Sequence, residues 1–253
     1  MENVQTKAGE FNAYSNDVIS SASGKKRVTF NTASTRDYIT NEAYKTLRTN
    51  LLFCGSEIKS IVITSCKDNE GKSTVSSELA KSLAETGKKT LFIDADMRKS
   101  TILKKSQNSE QIKGLSEVLS KLATVKEVVY STQYENFDVI FSGHFPPNPV
   151  ELIGNGEFEA ILKEFKEEYD YIIVDSPPLG LVIDAAVIAS FCDGAIMVLA
   201  NRQITGREAL EVKAQLEKSG CRILGTVINE TDRKHSEYIK RYGKYGKYGK
   251  YSY

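Results

Sequence analysis

Short runs of isoleucine, valine and leucine alternate with amphipathic stretches along most of this chain. A short continuous apolar run is typical of a strand buried on both faces, and such strands occur in parallel sheets covered by helices. We predict strands at residues 58–64, 90–94, 137–142, 171–175, 194–200 and 223–229. We predict helices at residues 38–53, 72–86, 115–122, 158–168, 184–191 and 206–219. The alternation favours an α/β fold, with a mostly parallel sheet and helices on both faces.

The 253 residues divide into three parts by composition. Residues 1–35 are polar and rich in Ser, Asn, Thr and Lys, which predicts a flexible N-terminal extension. Residues 36–231 hold the expected strands and helices and form the predicted folded domain. Residues 232–253 end in repeated Tyr-Gly-Lys triplets, whose frequent glycine and lack of aliphatic side chains predict a second flexible segment.

Charge and cysteine usage indicate a cytoplasmic protein that does not bind nucleic acid. The formal net charge is only +1, although residues 239–253 carry five Lys or Arg and no acidic side chain. The four cysteines have neither metal-ligand nor disulfide spacing, which favours reduced thiols. We also expect neither a signal peptide nor a membrane span, because the chain has no apolar run of the required length.

A phosphate-binding loop is predicted after the first strand of the domain. The tripeptide Gly71-Lys72-Ser73 follows a buried-type strand and opens a helix, an arrangement whose backbone amides grip phosphate oxygens. In this role Lys72 reaches the β and γ phosphates of ATP and Ser73 ligates Mg²⁺. The alternative is a lysine in an ordinary strand–helix turn. The predicted ATP-binding residues are Asp68, Asn69, Glu70, Gly71, Lys72, Ser73, Thr74 and Asn229.

This loop departs from the usual G-x-x-x-x-G-K-[ST] pattern. Cys66 occupies the first glycine position, and Asn69 stands where a second glycine is expected. Asparagine is among the few residues that tolerate left-handed backbone angles. Lys67 lies five residues before Lys72, and we interpret it either as a solvated loop lysine or as a second, intersubunit lysine of the MinD/ParA type.

Three aspartates end two of the predicted strands. Asp94 and Asp96 lie two residues apart, so on a strand both face the same side. Asp175 ends the strand at 171–175, at the edge of the sheet where open α/β proteins bind ligands. We predict Lys72, Asp94, Asp96 and Asp175 as catalytic residues, with one carboxylate accepting a hydroxyl proton and others holding Mg²⁺ through waters.

The C-terminal triplets display phenolic hydroxyls that could accept a phosphate. Because the same chain carries the predicted ATP site, the combination favours an enzyme that phosphorylates tyrosines, its own included. The predicted phosphoacceptors are Tyr242, Tyr245, Tyr248, Tyr251 and Tyr253.

Several motifs occur together in the order seen in one enzyme family. Besides the loop they are D-A-D-M-R, P-P-N-P, V-D-S-P-P and G-T-V-I-N, which begin at residues 94, 146, 174 and 225. From about residue 38 to its end, the chain resembles bacterial tyrosine kinases (BY-kinases) of capsular polysaccharide and exopolysaccharide synthesis, specifically their cytoplasmic CpsD/CapB type. The resemblance implies a MinD/ParA-like P-loop NTPase fold. It also implies a homo-oligomer, a ring in this family, with a transmembrane activator that brings the protein to the inner face of the membrane, and a tyrosine phosphatase as a further partner.

The resemblance also assigns roles to individual residues. Asp94 and Asp96 match the Walker A′ acidic pair, and Asp175 matches Walker B. Glu42, Lys45 and Arg48 match the E-x-x-R-x-x-R oligomerisation motif with lysine at its centre, which loses the bidentate fork of arginine. The alternative for these three is a solvated charged helix face.

Other interpretations of single residues and of the whole chain stay open. Asn229 either contacts adenine or has a cap or turn role, whereas His144 and His235 are interpreted as surface residues. The chief functional alternative is a MinD/ParA-like ATPase switch without kinase activity. A third is a polyanion binder that uses the Tyr/Lys segment, which the glycine spacing disfavours.

Overall fold

The computed structural model describes residues 19–20, 26–30, 38–102, 112–201 and 203–231. Within these residues nine strands form one sheet in the order β1-β2-β5-β6-β4-β7-β3-β8-β9. The strands are β1 (Ile19–Ser20), β2 (Lys26–Arg27), β3 (Ser60–Ser65), β4 (Thr90–Asp94), β5 (Tyr130–Ser131), β6 (Phe137–Ile140), β7 (Tyr171–Asp175), β8 (Gly194–Ala200) and β9 (Ile223–Asn229).

Helices cover both faces of this sheet. They are α1 (Tyr38–Leu52), α2 (Lys72–Ala84), α3 (Leu115–Leu119), α4 (Val125–Val128), α5 (Pro149–Gly154), α6 (Glu157–Glu168), α7 (Asp184–Ala189) and α8 (Gly206–Lys218). Successive residues of β3 point to opposite faces: Val62 packs into one hydrophobic cluster, with α6 and α8, and Ile63 into the other, with α1 and α2. The burial of both faces explains the continuous apolar strands and confirms the predicted fold class.

Parallel pairing brings the predicted acidic strand ends to one edge of the sheet. Strand β7 lies between β3 and β4, parallel to both. In this register Asp94 is directly opposite Asp175. The carboxyl ends of β3, β4 and β7 therefore meet beside the loop that connects β3 to α2.

The N-terminal boundary expected from the sequence is wrong for residues 26–30. Strand β2 pairs in parallel with β5, and Phe30, only 2% exposed, packs its ring 5.6 Å from Phe92 and 5.4 Å from Phe137 between centroids. Its backbone also exchanges two hydrogen bonds of 2.8 Å with the Gln133 amide. The burial of one aromatic ring and this edge pairing hold the segment in the domain. So short an apolar signal is lost among polar residues in the sequence.

Other elements differ in extent from those predicted. Helix α3 ends at Leu119, because Lys121 adopts a left-handed backbone with φ 61°, the common way to end a helix. Strand β5 and helices α4 and α5 were not predicted, and their two to six residues are too few to show a periodicity.

In the described part of the chain no helix is long and apolar enough to cross a membrane. The predicted phosphoacceptor tyrosines at 242–253, and His235, lie outside the described residues.

Candidate functional site

The loop between β3 and α2 contains two residues with a left-handed backbone. Asn69 has φ 63° and Gly71 has φ 81°, so both adopt left-handed conformations that few other residues tolerate. Gly71 caps α2, and its carbonyl accepts a hydrogen bond from Val75 N at 2.9 Å. The loop therefore leads directly into a helix N-terminus, where backbone N–H groups favour phosphate.

Lys72 lies at the centre of the predicted acidic cluster. Its Nζ is 3.3 Å from Asp96 Oδ2, 3.7 Å from Asp175 Oδ2 and 3.2 Å from Ser73 Oγ. Burial alone would lower the pKa of Lys72, but the charges of Asp175 and Asp96 outweigh it and the pKa is raised. The ammonium thus stays charged beside the predicted phosphate-binding loop.

Asp94 is buried beside this cation and is held by two hydrogen bonds. Ser100 Oγ donates to Asp94 Oδ2 at 2.5 Å, and Asp96 N donates to Asp94 Oδ1 at 3.2 Å. Burial, followed by the charge of Asp175, raises the pKa of Asp94 to about 7. A carboxylate with that pKa suits proton transfer near neutral pH.

Asp175 is also buried, and its burial raises its pKa against the opposing effects of Lys72, Ser73 and Ser76. Ser76 Oγ lies 3.0 Å from Asp175 Oδ1 and 2.7 Å from Lys72 O, so α2 fixes the orientation of this carboxylate. Together with Ser73 and Asp96, this residue supplies hydroxyl and carboxylate oxygens around Lys72. Such hard oxygen donors fit Mg²⁺, which binds proteins through one or two carboxylates and retained waters.

Residues at the outer side of the loop make ion pairs across the site. Asp68 Oδ2 accepts from Lys99 Nζ at 2.8 Å, which links the loop to the segment after β4. Lys67 Nζ lies 2.6 Å from Glu208 Oε1 at the start of α8 of the same chain. The Lys67 side chain is exposed, as a solvated loop lysine would be, and makes this pair within the chain; its intersubunit role remains a hypothesis.

Two predicted nucleotide-binding residues have side chains that contact the loop itself. The Glu70 carboxylate is buried under the loop and accepts from two backbone N–H groups. Asn229 Nδ2 donates to Glu70 O at 2.9 Å. Of the alternatives for Asn229, the structure shows the contact with a turn, since the side chain binds the backbone of the loop. Thr74, in the first turn of α2, is exposed.

Three residues that support the site were not predicted from the sequence. Ser100 orients Asp94, Ser76 orients Asp175, and Asp184 pairs its buried carboxylate with Arg98, whose Nε is 2.8 Å away. Only Ser76 carried a usable signal, because its position four residues after Lys72 puts it on the same face of α2.

The predicted oligomerisation residues have partners within the chain. Lys45 Nζ lies 2.7 Å from Glu42 Oε1 in α1. Arg48 donates to Ser82 O at 2.7 Å and to Ser82 Oγ at 3.1 Å, which joins α1 to α2. Glu42 and Lys45 therefore form an exposed pair and Arg48 holds the two helices together, while a role of the three residues in oligomerisation stays a prediction.

His144 is exposed, as expected of a surface residue, but its ring is not solitary. Its Nδ1 lies 2.6 Å from Glu117 Oε1, and its backbone N donates to the same oxygen at 3.1 Å. Burial opposes ionisation of Glu117, but hydrogen bonds from Gly114 and His144 outweigh it and lower the pKa of Glu117. We assign this pair to the support of the loop after β6.

Comparisons with known proteins agree with this geometry. A family model described as an AAA domain matches residues 58–219. The tyrosine-protein kinase CpsD of Streptococcus agalactiae is 43% identical over 207 residues, which cover 81% of this chain and 90% of that protein. The kinase domain of Escherichia coli tyrosine kinase ETK superimposes with a TM-score of 0.67 and 33% identity over 78% of this chain and 79% of that one. The septum site-determining protein MinD of Pyrococcus horikoshii, complexed with Mg-ADP, superimposes with a TM-score of 0.59 and is 29% identical. That match covers 72% of this chain and 73% of the MinD chain.

Proposed function

This chain belongs to the family of bacterial tyrosine-protein kinases, and from that premise we propose that it transfers the γ-phosphate of ATP to tyrosine hydroxyls of proteins. The observation that carries the proposal is the cluster of Lys72 with Asp94, Asp96 and Asp175 beside a phosphate-binding loop. A cation for the phosphate and a carboxylate for the proton are the two groups that this reaction needs.

Lys72 supplies the cation. Its Nζ would contact the β and γ phosphate oxygens and balance the charge that develops on the transferred group. Because Asp96 and Asp175 already lie near this Nζ, the lysine side chain is held in place before the nucleotide binds. The Lys72 side chain therefore needs little further ordering when the nucleotide binds and reacts.

Asp94 is the proposed base. As the tyrosine oxygen forms its bond to the γ-phosphorus and the bond to the ADP oxygen breaks, the phenolic proton passes to Asp94. The pKa of about 7 keeps a substantial fraction of Asp94 able to accept that proton at neutral pH. Ser100 and the Asp96 backbone fix the direction of the carboxylate.

Ser73, Asp96 and Asp175 would hold Mg²⁺, with the carboxylates acting through its waters. When bound, the ion would neutralise phosphate charge. The chain's own part is to present these oxygens on the fixed ends of β4, β7 and α2.

Acceptors and partners extend the proposal beyond the site. We assign the acceptor role to the C-terminal tyrosines, presented to the active site of a neighbouring subunit in a homo-oligomer. A transmembrane activator chain would bring the kinase to the inner face of the membrane, a tyrosine phosphatase would reverse the reaction, and capsular or exopolysaccharide synthesis would be the regulated process. The family resemblance of the motifs supports these assignments.

Phosphorylation would invert the charge of the C-terminal segment. Residues 239–253 carry five basic side chains and no acidic one. Phosphates on all five tyrosines add about −7.5 to −10, which leaves about −2.5 to −5. Equal charges crowded in one assembly repel each other, so we expect phosphorylation to loosen the oligomer, and less so at high salt.

Incubation of the purified protein with ATP and Mg²⁺, followed by detection of phosphotyrosine, tests the function. We expect phosphotyrosine in the wild type and its loss from the C-terminal peptide when the five tyrosines are replaced by phenylalanine. As a matched control, Tyr134→Phe in the folded domain should become phosphorylated on tyrosine to the same extent as the wild type. ATP hydrolysis without phosphotyrosine, with and without a membrane partner, would support a MinD-like ATPase switch instead.

A further inference from the structure

The Glu70 carboxylate joins the phosphate-binding loop to the neighbouring strand. This side chain is only 1% exposed. Its Oε2 accepts from Lys67 N at 2.5 Å, inside the loop, and its Oε1 accepts from Ala200 N at 3.0 Å, at the end of β8. One buried carboxylate therefore fixes both the curvature of the loop and its distance from β8.

Asn229 holds the same loop from the end of β9. Its Nδ2 donates to Glu70 O at 2.9 Å and lies 2.0 Å from the position that a Cβ on Gly71 would occupy. The backbone carbonyl of Asn229 accepts a hydrogen bond from the backbone N–H of Asn201, just after β8, at 2.9 Å. The amide thus packs directly over the glycine that precedes Lys72, and the ends of both strands fix its position.

We infer that Glu70 and Asn229 are positioning residues that hold the phosphate-binding backbone of residues 67–71 against the ends of β8 and β9. Asn229 acts through the loop and not on the nucleotide base. The inference deepens the proposed function and rests on it, because it concerns how the proposed ATP site grips its phosphates.

The physical reason lies in how such loops bind. Backbone N–H groups contribute to phosphate binding only when they point to one place, and a loop that moves must first be ordered by the ligand. Removal of an acceptor from Lys67 N or Ala200 N leaves a buried donor without a partner, and the loop must shift to hydrate it. This cost falls on every ligand that has the phosphates, whether or not it has a base.

Ligands with and without the base therefore separate the two roles of Asn229. Mg²⁺-tripolyphosphate presents the phosphate chain alone, whereas Mg²⁺-ATP adds ribose and adenine. The variants are Glu70→Gln, which replaces one acceptor oxygen by a donor, and Asn229→Ala, which removes the amide. The matched control is Glu230→Gln, next in sequence to Asn229, whose exposed carboxylate accepts a hydrogen bond from the Gln203 side chain at 2.8 Å.

We expect each test variant to raise the dissociation constants of both ligands by similar factors, about tenfold, measured by calorimetry and competition. The control should stay within about twofold of the wild type. In the ligand-free protein, hydrogen exchange should quicken in the peptide over residues 66–70 of Glu70→Gln, with β4 and β7 unchanged. This second measurement distinguishes a loosened loop from a destabilised fold.

Several results would overturn the inference. Asn229→Ala that weakens ATP binding but leaves tripolyphosphate unaffected would assign Asn229 to the base. Unchanged affinities in Glu70→Gln, or hydrogen exchange that quickens uniformly over the domain, would show that Glu70 does not position the loop. The inference would also be wrong if the wild type bound ATP but tripolyphosphate did not compete with it. A wild type that binds no nucleotide at all would instead refute the proposed function.

Discussion

The Ser100 hydroxyl donates to Asp94 Oδ2 across 2.5 Å, inside a region from which water is almost fully excluded. This bond favours the ionised carboxylate, but burial and the nearby Asp175 outweigh it, and the pKa of Asp94 rises from 3.8 to about 7. The folded protein therefore binds a proton at Asp94 between about pH 4 and 7, where the unfolded chain has released it. Over that window Asp94 lowers the free energy of unfolding as pH rises.

We predict that Asp94→Asn becomes more stable relative to the wild type as pH rises from 5 to 8. The change in the difference should be on the order of 2–4 kcal/mol, since each unit of pKa shift corresponds to about 1.4 kcal/mol. Urea unfolding at both pH values, with a chelator present, measures it. The same variant should bind nucleotide yet fail to phosphorylate tyrosine. A stability difference that does not change with pH would contradict the prediction.

Lys72→Met should reduce autophosphorylation by at least about a hundredfold, because it removes the cation that balances charge on the transferred phosphate. Since the methionine keeps most of the apolar stem, the fold should survive, as circular dichroism and thermal melting can show. Lys213→Met on α8, at an exposed Lys213–Glu217 pair, is the control and should keep its activity. Activity within a few-fold of the wild type would mean that Lys72 is an ordinary capping lysine.

Phe30→Ala should destabilise the protein by about 3–5 kcal/mol, the cost of truncating a fully buried phenylalanine. Phe53→Ala is the matched control, because Phe53 is 82% exposed and its truncation should change stability by less than about 0.5 kcal/mol. Urea unfolding of the two variants compares them. Equal effects would show that residues 26–30 do not belong to the core.

The sequence predicts well those features that repeat or that have one chemical use. Continuous apolar strands, the Gly71-Lys72-Ser73 turn and the aspartates at the ends of β4 and β7 all lie where expected, because a parallel sheet brings its carboxyl ends together. The roles of Glu70 and Phe30 were not predictable. Glu70 looks like one more polar loop residue until β8 is known to pass beside it, and Phe30 is one aromatic residue in a polar segment.

Arg48 and Lys45 should behave differently although both belong to the proposed oligomerisation motif. Arg48→Ala should cost about 1 kcal/mol of stability, because it loses two hydrogen bonds to Ser82 that join α1 to α2. Lys45→Ala should leave stability unchanged, since its pair with Glu42 is exposed. Thermal melting distinguishes them.

The double variant Glu42→Ala/Lys45→Ala is therefore the cleaner test of assembly. We expect it to sediment as a smaller species than the wild type and to phosphorylate itself poorly. A mass equal to that of the wild type would assign the two side chains to the solvated face alone.

The crowding of Asp94, Asp96 and Asp175 around a single ammonium has a consequence for the form of ATP that can enter. Above about pH 7, where Asp94 is ionised together with Asp96 and Asp175, the four groups carry a formal charge of −2. ATP without its metal brings about four more negative charges into a poorly hydrated place, where like charges repel strongly. We therefore expect the cluster to bind ATP together with its metal ion in preference to ATP alone. When magnesium is scarce, uncomplexed ATP would leave the site empty instead of blocking it.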